Sequence, residues 1–292
     1  MHENARQMLF TAFDHGITHF DLANNYGPRP GAAESRVGRI LASDFGPHRD
    51  ELIISTKAGW DMWPGPYGDR GSRKYLLASL DQSLRRLQLD YVDVFYSHRF
   101  DSDTPMEETM SALDTAVRSG RALYCGISSY SGAQTELAMA TCEANGFVKP
   151  IIHQPNYSLL NRKVESDLLN ALSRTWMGAI AFCPLAQGLL TSKYVSGIPE
   201  DSRVRQVKGF LREDRVTPQV LAQVKSLSKV AERRGQSLAQ MALLWTLRDR
   251  RVTSALIGAS RPSQIVENVS LLDSGPLSPE ELAEIDGVLA EA

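Results

Sequence analysis

Apolar residues along this chain keep switching between a helical and a strand period. Ala5, Met8, Leu9, Ala12 and Phe13 recur at helical spacing and Gly16 follows as a stop, which predicts a helix over residues 3–15. His19-Phe20-Asp21 then reads as a strand that carries Asp21 to its carboxyl end and breaks into a loop presenting Tyr26. Pro28, Pro30 and Gly31 stiffen that loop before a helix holding Val37, Ile40 and Leu41. A second strand-like run, residues 52–57, ends in Lys57, and a third, residues 91–98, ends in His98. Between them lie a long loop over 58–68, rich in glycine, proline and aromatics, and a helix over 72–87. Tyr75, Leu76, Leu80, Leu84 and Leu87 form the apolar stripe of that helix. Loops of such length inside compact domains are usually functional.

The same rhythm continues. A helix opens at Pro105 and closes before Gly120; a buried-type strand over 122–129 ends in the hydroxyls of Ser128 and Ser129. A helix over 132–145, a strand-like run over 151–156, another helix and the strand 178–183 follow, the last running into Pro184-Leu185-Ala186-Gln187-Gly188. Residues 191–215 form a second long polar loop. Helices are predicted over 218–234 and 237–249, the second opened by Ser237 and Gln240 at capping-box spacing. The last strand, 253–258, precedes a helix after Pro262, and a final helix takes Ser278 as N-cap and Pro279 at N1.

Uninterrupted alternation with short apolar strands predicts a parallel sheet covered by helices, in one domain over residues 1–292. The count is roughly seven strands, where a (β/α)8 TIM barrel has eight. Because the chain opens on a helix, the absent strand is expected to be the first, upstream of the present start.

Composition changes this picture by exclusion. With 42% hydrophobic and 23% charged residues over 292 positions and a net charge of -2, nothing marks a nucleic-acid or anionic-lipid surface. No apolar run approaches the roughly 20 residues a bilayer crossing needs. Met1-His2-Glu3-Asn4 lacks the basic flank and apolar stretch of a signal peptide. Three cysteines without Cys-x-x-Cys spacing argue against a disulfide framework or a zinc site. The expectation is therefore a cytoplasmic protein with no metal, no nucleic acid and no membrane, its self-association left open.

Parallel strands bring their carboxyl ends to one mouth, so Asp21, Tyr26, Lys57 and His98 are expected to converge there. Hydride transfer to a carbonyl leaves negative charge on oxygen, which a proton donor must quench. A free tyrosine, with a pKa of about 10, is a poor acid near neutrality. A nearby ammonium favours the phenolate and lowers that pKa, while a carboxylate holds the ammonium charged and in place. Tyr26, Lys57 and Asp21 supply those parts, and His98 would orient and polarise the carbonyl. Each has a plainer reading: Asp21 as a turn or cap residue, Tyr26 as packing, Lys57 as a snorkelling strand end, His98 as a structural histidine.

Phe20-Asp21-Leu22-Ala23-Asn24-Asn25-Tyr26-Gly27, Ser55-Thr56-Lys57 and Tyr96-Ser97-His98-Arg99 resemble the aldo-keto reductase family, and the likeness runs from the first helix to the last. Asp61-Met62-Trp63-Pro64-Gly65-Pro66-Tyr67-Gly68 and Gly197-Ile198-Pro199-Glu200-Asp201-Ser202-Arg203 resemble the branch holding bacterial L-glyceraldehyde 3-phosphate reductases and potassium-channel β subunits. No Gly-x-Gly-x-x-Gly follows any strand, so a Rossmann site is absent; the resemblance implies NADPH held extended across a barrel mouth. By position it implies Ser128, Ser129 and Gln154 at the carboxamide and Phe182 against the nicotinamide ring. Backbone at Pro184, Leu185, Ala186 and Gly188 would hold the pyrophosphate side, with Lys193 and Arg203 reaching over it. Gly258, Ser260, Arg261, Gln264, Glu267 and Asn268 would take the adenosine end. The forked Arg261 and the helix N-terminus after Ser260 suit a 2′-phosphate, favouring NADP over NAD. The plainer reading leaves Arg203 and Arg261 as solvated charges. The first-strand glycine and aromatic of the family have no counterpart here.

The function so implied is NADPH-dependent reduction of small or phosphorylated aldehydes, the L-glyceraldehyde 3-phosphate and methylglyoxal class. Trp63 and Tyr67 are candidate walls of the substrate pocket, or only pack their loop; Arg99 is a candidate for a substrate phosphate, or pairs with Asp101. Two other readings are a regulatory subunit that holds NADPH with little turnover, against which His98 counts, and an unrelated phosphate-binding barrel, which would need a carboxylate base in place of the Tyr-Lys pair.

Overall fold

A computed structural model describes residues 2–194 and 216–290 of the chain. Its first elements are α1 (His2–Asp14), β1 (His19–Asp21), α2 (Ala32–Ile40), β2 (Ile53–Ala58), α3 (Arg73–Leu87), β3 (Val92–Ser97) and α4 (Met106–Arg118). β4 (Ala122–Ser128), α5 (Gly132–Asn145), β5 (Ile152–Gln154), α6 (Leu168–Thr175) and β6 (Gly178–Ala181) follow. The chain then gives α7 (Pro218–Arg233), α8 (Leu238–Thr246), β7 (Val252–Ala255), α9 (Pro262–Val269) and α10 (Pro279–Ala290). Seven strands form one sheet in chain order, β1 to β7, and every pairing from β1 to β6 is parallel. This is the α/β alternation of a (β/α)8 barrel with one strand fewer. By internal contacts the chain divides into two compact units: Met1–Pro155 with Val164–Ile180, and Asn156–Lys163 with Ala181–Ala292.

In the first unit the strands are buried almost continuously, as a helix-covered parallel sheet requires. Ile54, Phe95, Ile127, Leu76, Leu80 and Leu113 are all within its core. Gly126 on β4 makes room for the Tyr96 ring, since a Cβ there would stand 2.5 Å from the nearest ring carbon. Ser72 caps α3 through the Tyr75 amide, and Ser131 with Gln134 forms a capping box on α5. One difference from the sequence reading concerns Leu41, which falls in a wider π-helical turn (Leu41–Phe45) followed by a 3-10 turn (Gly46–Glu51). The wide turn carries Phe45 into Phe10, Phe13 and Phe20, with centroids 4.9–5.9 Å away. Packing, not periodicity, decides that segment.

In the second unit Thr217 caps α7, Ser237 caps α8 at the spacing read from sequence, and Ser278 accepts from the Glu281 amide to cap α10. Val224, Leu227, Val230, Met241, Leu243, Trp245 and Ile285 build its core. Just beyond β7, the Leu256 amide donates to the Ala181 carbonyl at 2.8 Å. Residues 195–215, including Arg203 and the Gly197 to Arg203 motif, lie outside the described residues. Among the described residues no helix is long and apolar enough to cross a membrane, no group of side chains could hold a metal ion, and none of the three cysteines is in a disulfide.

Candidate active site

The register of β1 on β2 places Asp21 opposite Ser55. Strand alternation then turns Ser55 and Lys57 to the face of Asp21 and Thr56 to the other face. Lys57 is fully buried; its Nζ donates to Asp21 Oδ2 at 2.6 Å and to the Leu22 carbonyl at 2.7 Å. The other oxygen, Asp21 Oδ1, accepts from Ser55 Oγ at 2.6 Å and from Gln154 Nε2 at 3.1 Å. Burial alone would raise the Asp21 pKa, but the Lys57 charge and these donors outweigh it and hold the carboxyl below its ordinary range. Burial pulls the Lys57 pKa down, and Asp21 only partly restores it. The result is an ammonium that gives up its proton more readily than a solvated lysine.

The Lys57 ammonium lies 5.2 Å from the centre of the Tyr26 ring and 5.6 Å from that of Tyr96. Tyr26 is about one third exposed, at 36%, so its loop offers it outward while Lys57 stays dry. Backbone bonds fasten that loop: Asn24 N–H to Lys57 O at 2.9 Å, Gly31 N–H to Asn24 O at 2.7 Å, Ala33 N–H to Tyr26 O at 3.1 Å. His98 stands just past β3, its amide on the Ala58 carbonyl and its ring edge-on to Tyr26 at 5.8 Å. Burial, then the Lys57 charge, push the His98 pKa down to about 3, so the imidazole is neutral at physiological pH. Its Nδ1 is buried with no hydrogen-bond partner among the described residues. Asp21, Lys57, Tyr26 and His98 thus form one contiguous cluster, although they span 78 positions (98 minus 21, plus one) of the chain.

Three supports are only weakly marked in the local pattern. Ser55 is a buried hydroxyl inside an apolar strand, and that misplaced polarity is the only hint of it. Tyr75 on α3, fully buried, accepts from Asn24 Nδ2 at 3.0 Å and donates to the Trp60 carbonyl, so one phenol ties the Tyr26 loop to the loop after β2. Trp60 meets the site edge-on, its ring 6.3 Å from that of His98 and perpendicular to it. Trp63 packs instead on Tyr75 at 5.2 Å, and Tyr67 is half exposed under the Lys74 ammonium. Arg99 pairs with Asp69 and not with Asp101, the partner offered by the plainer reading of the sequence. Its Nη2 donates to both oxygens of Asp69 at 2.9 Å, its Nε donates to Gly59 O at 2.6 Å, and its plane covers Trp60 at 4.0 Å. Asp101 is engaged with the amides of Gly71 and Asp103 and the Thr104 hydroxyl, which removes it as the partner of Arg99.

Among the residues matched to a cofactor, Ser128 and Gln154 are buried in the first unit, the Ser128 hydroxyl donating to the Gln154 carbonyl at 2.8 Å. Gln154 spends a side-chain donor on Asp21, so it also braces the carboxylate. Ser129 is exposed and held at φ +59°, a left-handed strain typical of binding positions. In the second unit, Phe182 makes a parallel bridge with Asn156, and Cys183, Ala186 and Gln187 after β6 all have positive φ, as does Gly188 at +102°. Pro184 and Leu185 sit within that strained turn, and Lys193 lies on a short 3-10 turn (Ser192–Tyr194). Ser260 bonds Gln264 through both its amide and its hydroxyl. Arg261 is the exposed N-cap of α9, Asn268 is buried on that helix, the Glu267 carbonyl accepts from Gln240, and Gly258 has open space around it.

Known proteins resemble this chain over nearly its whole length. The chain is 58% identical over 295 aligned positions to the L-glyceraldehyde 3-phosphate reductase of Escherichia coli K12, covering 99% of this chain and 84% of that protein. It is 39% identical to a probable voltage-gated potassium channel subunit beta of Oryza sativa over 98% of this chain and 88% of the other, and 38% identical to a similarly named Arabidopsis thaliana protein with the same coverage. The profile of the aldo/keto reductase family matches residues 1–290. The chain therefore belongs to the aldo/keto reductase family, oxidoreductases that act on carbonyl groups.

Proposed function

We propose that this chain uses NADPH to reduce small or phosphorylated aldehydes, the L-glyceraldehyde 3-phosphate and methylglyoxal class, with Tyr26 as the proton donor. The observation that carries the reading is the buried Lys57 ammonium, seated between the Asp21 carboxylate at 2.6 Å and the Tyr26 ring at 5.2 Å. A phenol beside a desolvated cation ionises more easily, because the phenolate gains an attraction that no water screens. Tyr26 thereby becomes an acid matched to a carbonyl oxygen that turns into an alkoxide. Neutral His98, its ring edge-on to Tyr26, would donate one hydrogen bond to that oxygen without repelling Lys57. Trp60 borders the space beside His98, with Arg99 and Asp69 backing its ring.

The residues fit a nicotinamide cofactor. A buried, unpartnered nitrogen on His98 and a strained, exposed Ser129 at the end of β4 are features that a polar ligand satisfies. NADPH, when bound, supplies the hydride. Ser128, Ser129 and Gln154 would hold its carboxamide and Phe182 its ring. Backbone at Pro184, Leu185, Ala186 and Gly188 with Lys193 and Arg203 would hold the pyrophosphate, and Gly258, Ser260, Arg261, Gln264, Glu267 and Asn268 the adenosine side, Arg261 meeting a 2′-phosphate.

The test is loss of NADPH absorbance on adding these aldehydes. Turnover by the parent protein is expected, with kcat lower by roughly 10²–10⁴ in Tyr26→Phe and an unchanged melting curve. A Tyr26→Phe protein as active as the parent overturns the mechanism. Tight NADPH binding with no turnover on any aldehyde would point to a binding subunit.

A further inference from the structure

Behind the four clustered residues, hydroxyl and imidazole groups continue the hydrogen-bond path. Ser55 Oγ lies 2.6 Å from Asp21 Oδ1 and 2.9 Å from His19 Nε2. A carboxylate only accepts, so the single Ser55 proton goes to Asp21. His19 must then donate from Nε2, which places its ring in the Nε2–H form. The result is a directed path from His19 through Ser55 to one oxygen of Asp21, while the other oxygen serves Lys57. We propose that Ser55, backed by His19, is a positioning residue that keeps Asp21 ionised and turned toward Lys57, and so sets the acidity of Tyr26. This rests on the proton-donor role of Tyr26 given above.

The physical argument concerns two ways to place one proton in the buried pair. With Asp21 charged and Lys57 an ammonium, Tyr26 faces a cation; with both neutral, it does not. A hydrogen bond to the charged carboxylate favours the first arrangement. The other titratable groups around the path are Asp93 and Tyr96 on β3, Glu34 on α2, and His98 and Arg99 past β3; burial, then the Asp21 charge, raise the Tyr96 pKa and keep that phenol neutral. Three of these already have opposite charges: Asp93 with Arg49, Glu34 with Arg86, and Arg99 with Asp69. His98 stays neutral. Ser55 is therefore the neutral donor on which the balance turns, together with Gln154 at a longer 3.1 Å.

Removing Ser55 should weaken Tyr26 as an acid, which lowers kcat and raises the pH at which activity fades. In Ser55→Ala, kcat should drop roughly tenfold, as one lost hydrogen bond to a charge warrants. KM should hold within about twofold, and the alkaline limb of kcat/KM should move to higher pH; Ser55→Thr should restore both. His19→Leu should shift the limb the same way by less, His19→Gln should rescue it, and His19→Leu should add nothing in a Ser55→Ala background. An unmoved limb and kcat in folded Ser55→Ala, or additive losses in the double variant, overturn the proposal. Nitrogen NMR of His19 in the resting protein gives a test that needs no turnover: the Nε2–H form is expected, and an Nδ1–H form refutes the path. Parent inactivity on every aldehyde would instead sink the reductase reading alone.

Discussion

Strand β2 has a buried ion pair on each of its faces. On one, Lys57 meets Asp21 and the Ser55 hydroxyl binds the same carboxylate. On the other, Arg86 meets Glu34 at 2.7 Å and the Thr56 hydroxyl binds that carboxylate at 2.5 Å. The two arrangements share a design: acid, cation, and a hydroxyl from β2. What differs is whether the cation can release a proton and what stands in front of it. A guanidinium stays charged at any relevant pH, and here it joins α2 to α3 beneath the strand. A buried ammonium is titratable, and in front of it are a half-offered phenol and an imidazole. On the proposed mechanism one face of the strand serves chemistry and the other is framework.

Exchanging one member of each pair gives the largest expected effects. Lys57→Met should cut kcat by roughly 10²–10⁴, because Tyr26 loses its cation. Glu34→Gln leaves Arg86 without its anion in a largely buried place, costing about 3 kcal/mol. That corresponds to a fall in melting temperature of roughly 5–10 °C, with kcat of the folded protein within about threefold of the parent. Calorimetry and turnover on the same samples decide the matter. If Glu34→Gln lost activity as Lys57→Met does while melting normally, the division between the faces would fail.

Protonation offers a gentler version of the contrast, between a histidine of the site and one of the core. Burial holds both His98 and His153 down to about 3, and His153 donates from Nε2 to the Tyr130 carbonyl. Their unfolded value is near 6.5, so between these limits the unfolded chain binds more protons. Stability is then complete above about pH 6.5 and is lost as pH falls toward 3, by about 1.4 kcal/mol per pH unit for each histidine. Asp21, also held below its unfolded value, adds to the loss only below about pH 4. Urea unfolding at pH 7 and pH 5 should show the decline. His153→Gln should remove about one proton from the slope and leave turnover intact, whereas His98→Asn should flatten the slope and change kinetics as well. An unchanged slope in both variants would remove these two groups as the cause.

The same contrast explains what could be read from sequence. Helix and strand alternation is local, and caps such as Ser237 with Gln240 announce themselves within four residues. Strand ends were legible because parallel topology gathers them, which is why Asp21, Lys57 and His98 could be nominated without coordinates. Side-chain pairings that depend on register were not. Nothing near Tyr75 says that its hydroxyl reaches both Asn24 and Trp60, and nothing near Arg99 favours Asp69 over Asp101. Those choices are made across 30 to 51 positions of chain, by which helix lands on which loop. The π-helical turn at Leu41–Phe45 is of the same kind, since its aromatic partners come from α1 and β1.

Arg99 gives the smallest expected effect and the finest distinction. A guanidinium that already donates to both oxygens of Asp69 and to Gly59 O has its charge compensated and much of its fork occupied. Its guanidinium lies over Trp60, whose ring stands 6.3 Å from that of His98. On the proposed mechanism its main task is to hold the Trp60 indole in place beside His98. Arg99→Ala should then raise KM by about threefold for neutral and phosphorylated aldehydes alike, as expected for a displaced contact with modest cation–π support. The ratio of kcat/KM between two aldehydes that differ only by phosphate isolates the charge term. If Arg99→Ala lowered that ratio tenfold against the phosphorylated aldehyde, Arg99 would be a phosphate ligand despite Asp69, and Asp69→Asn should then improve that substrate.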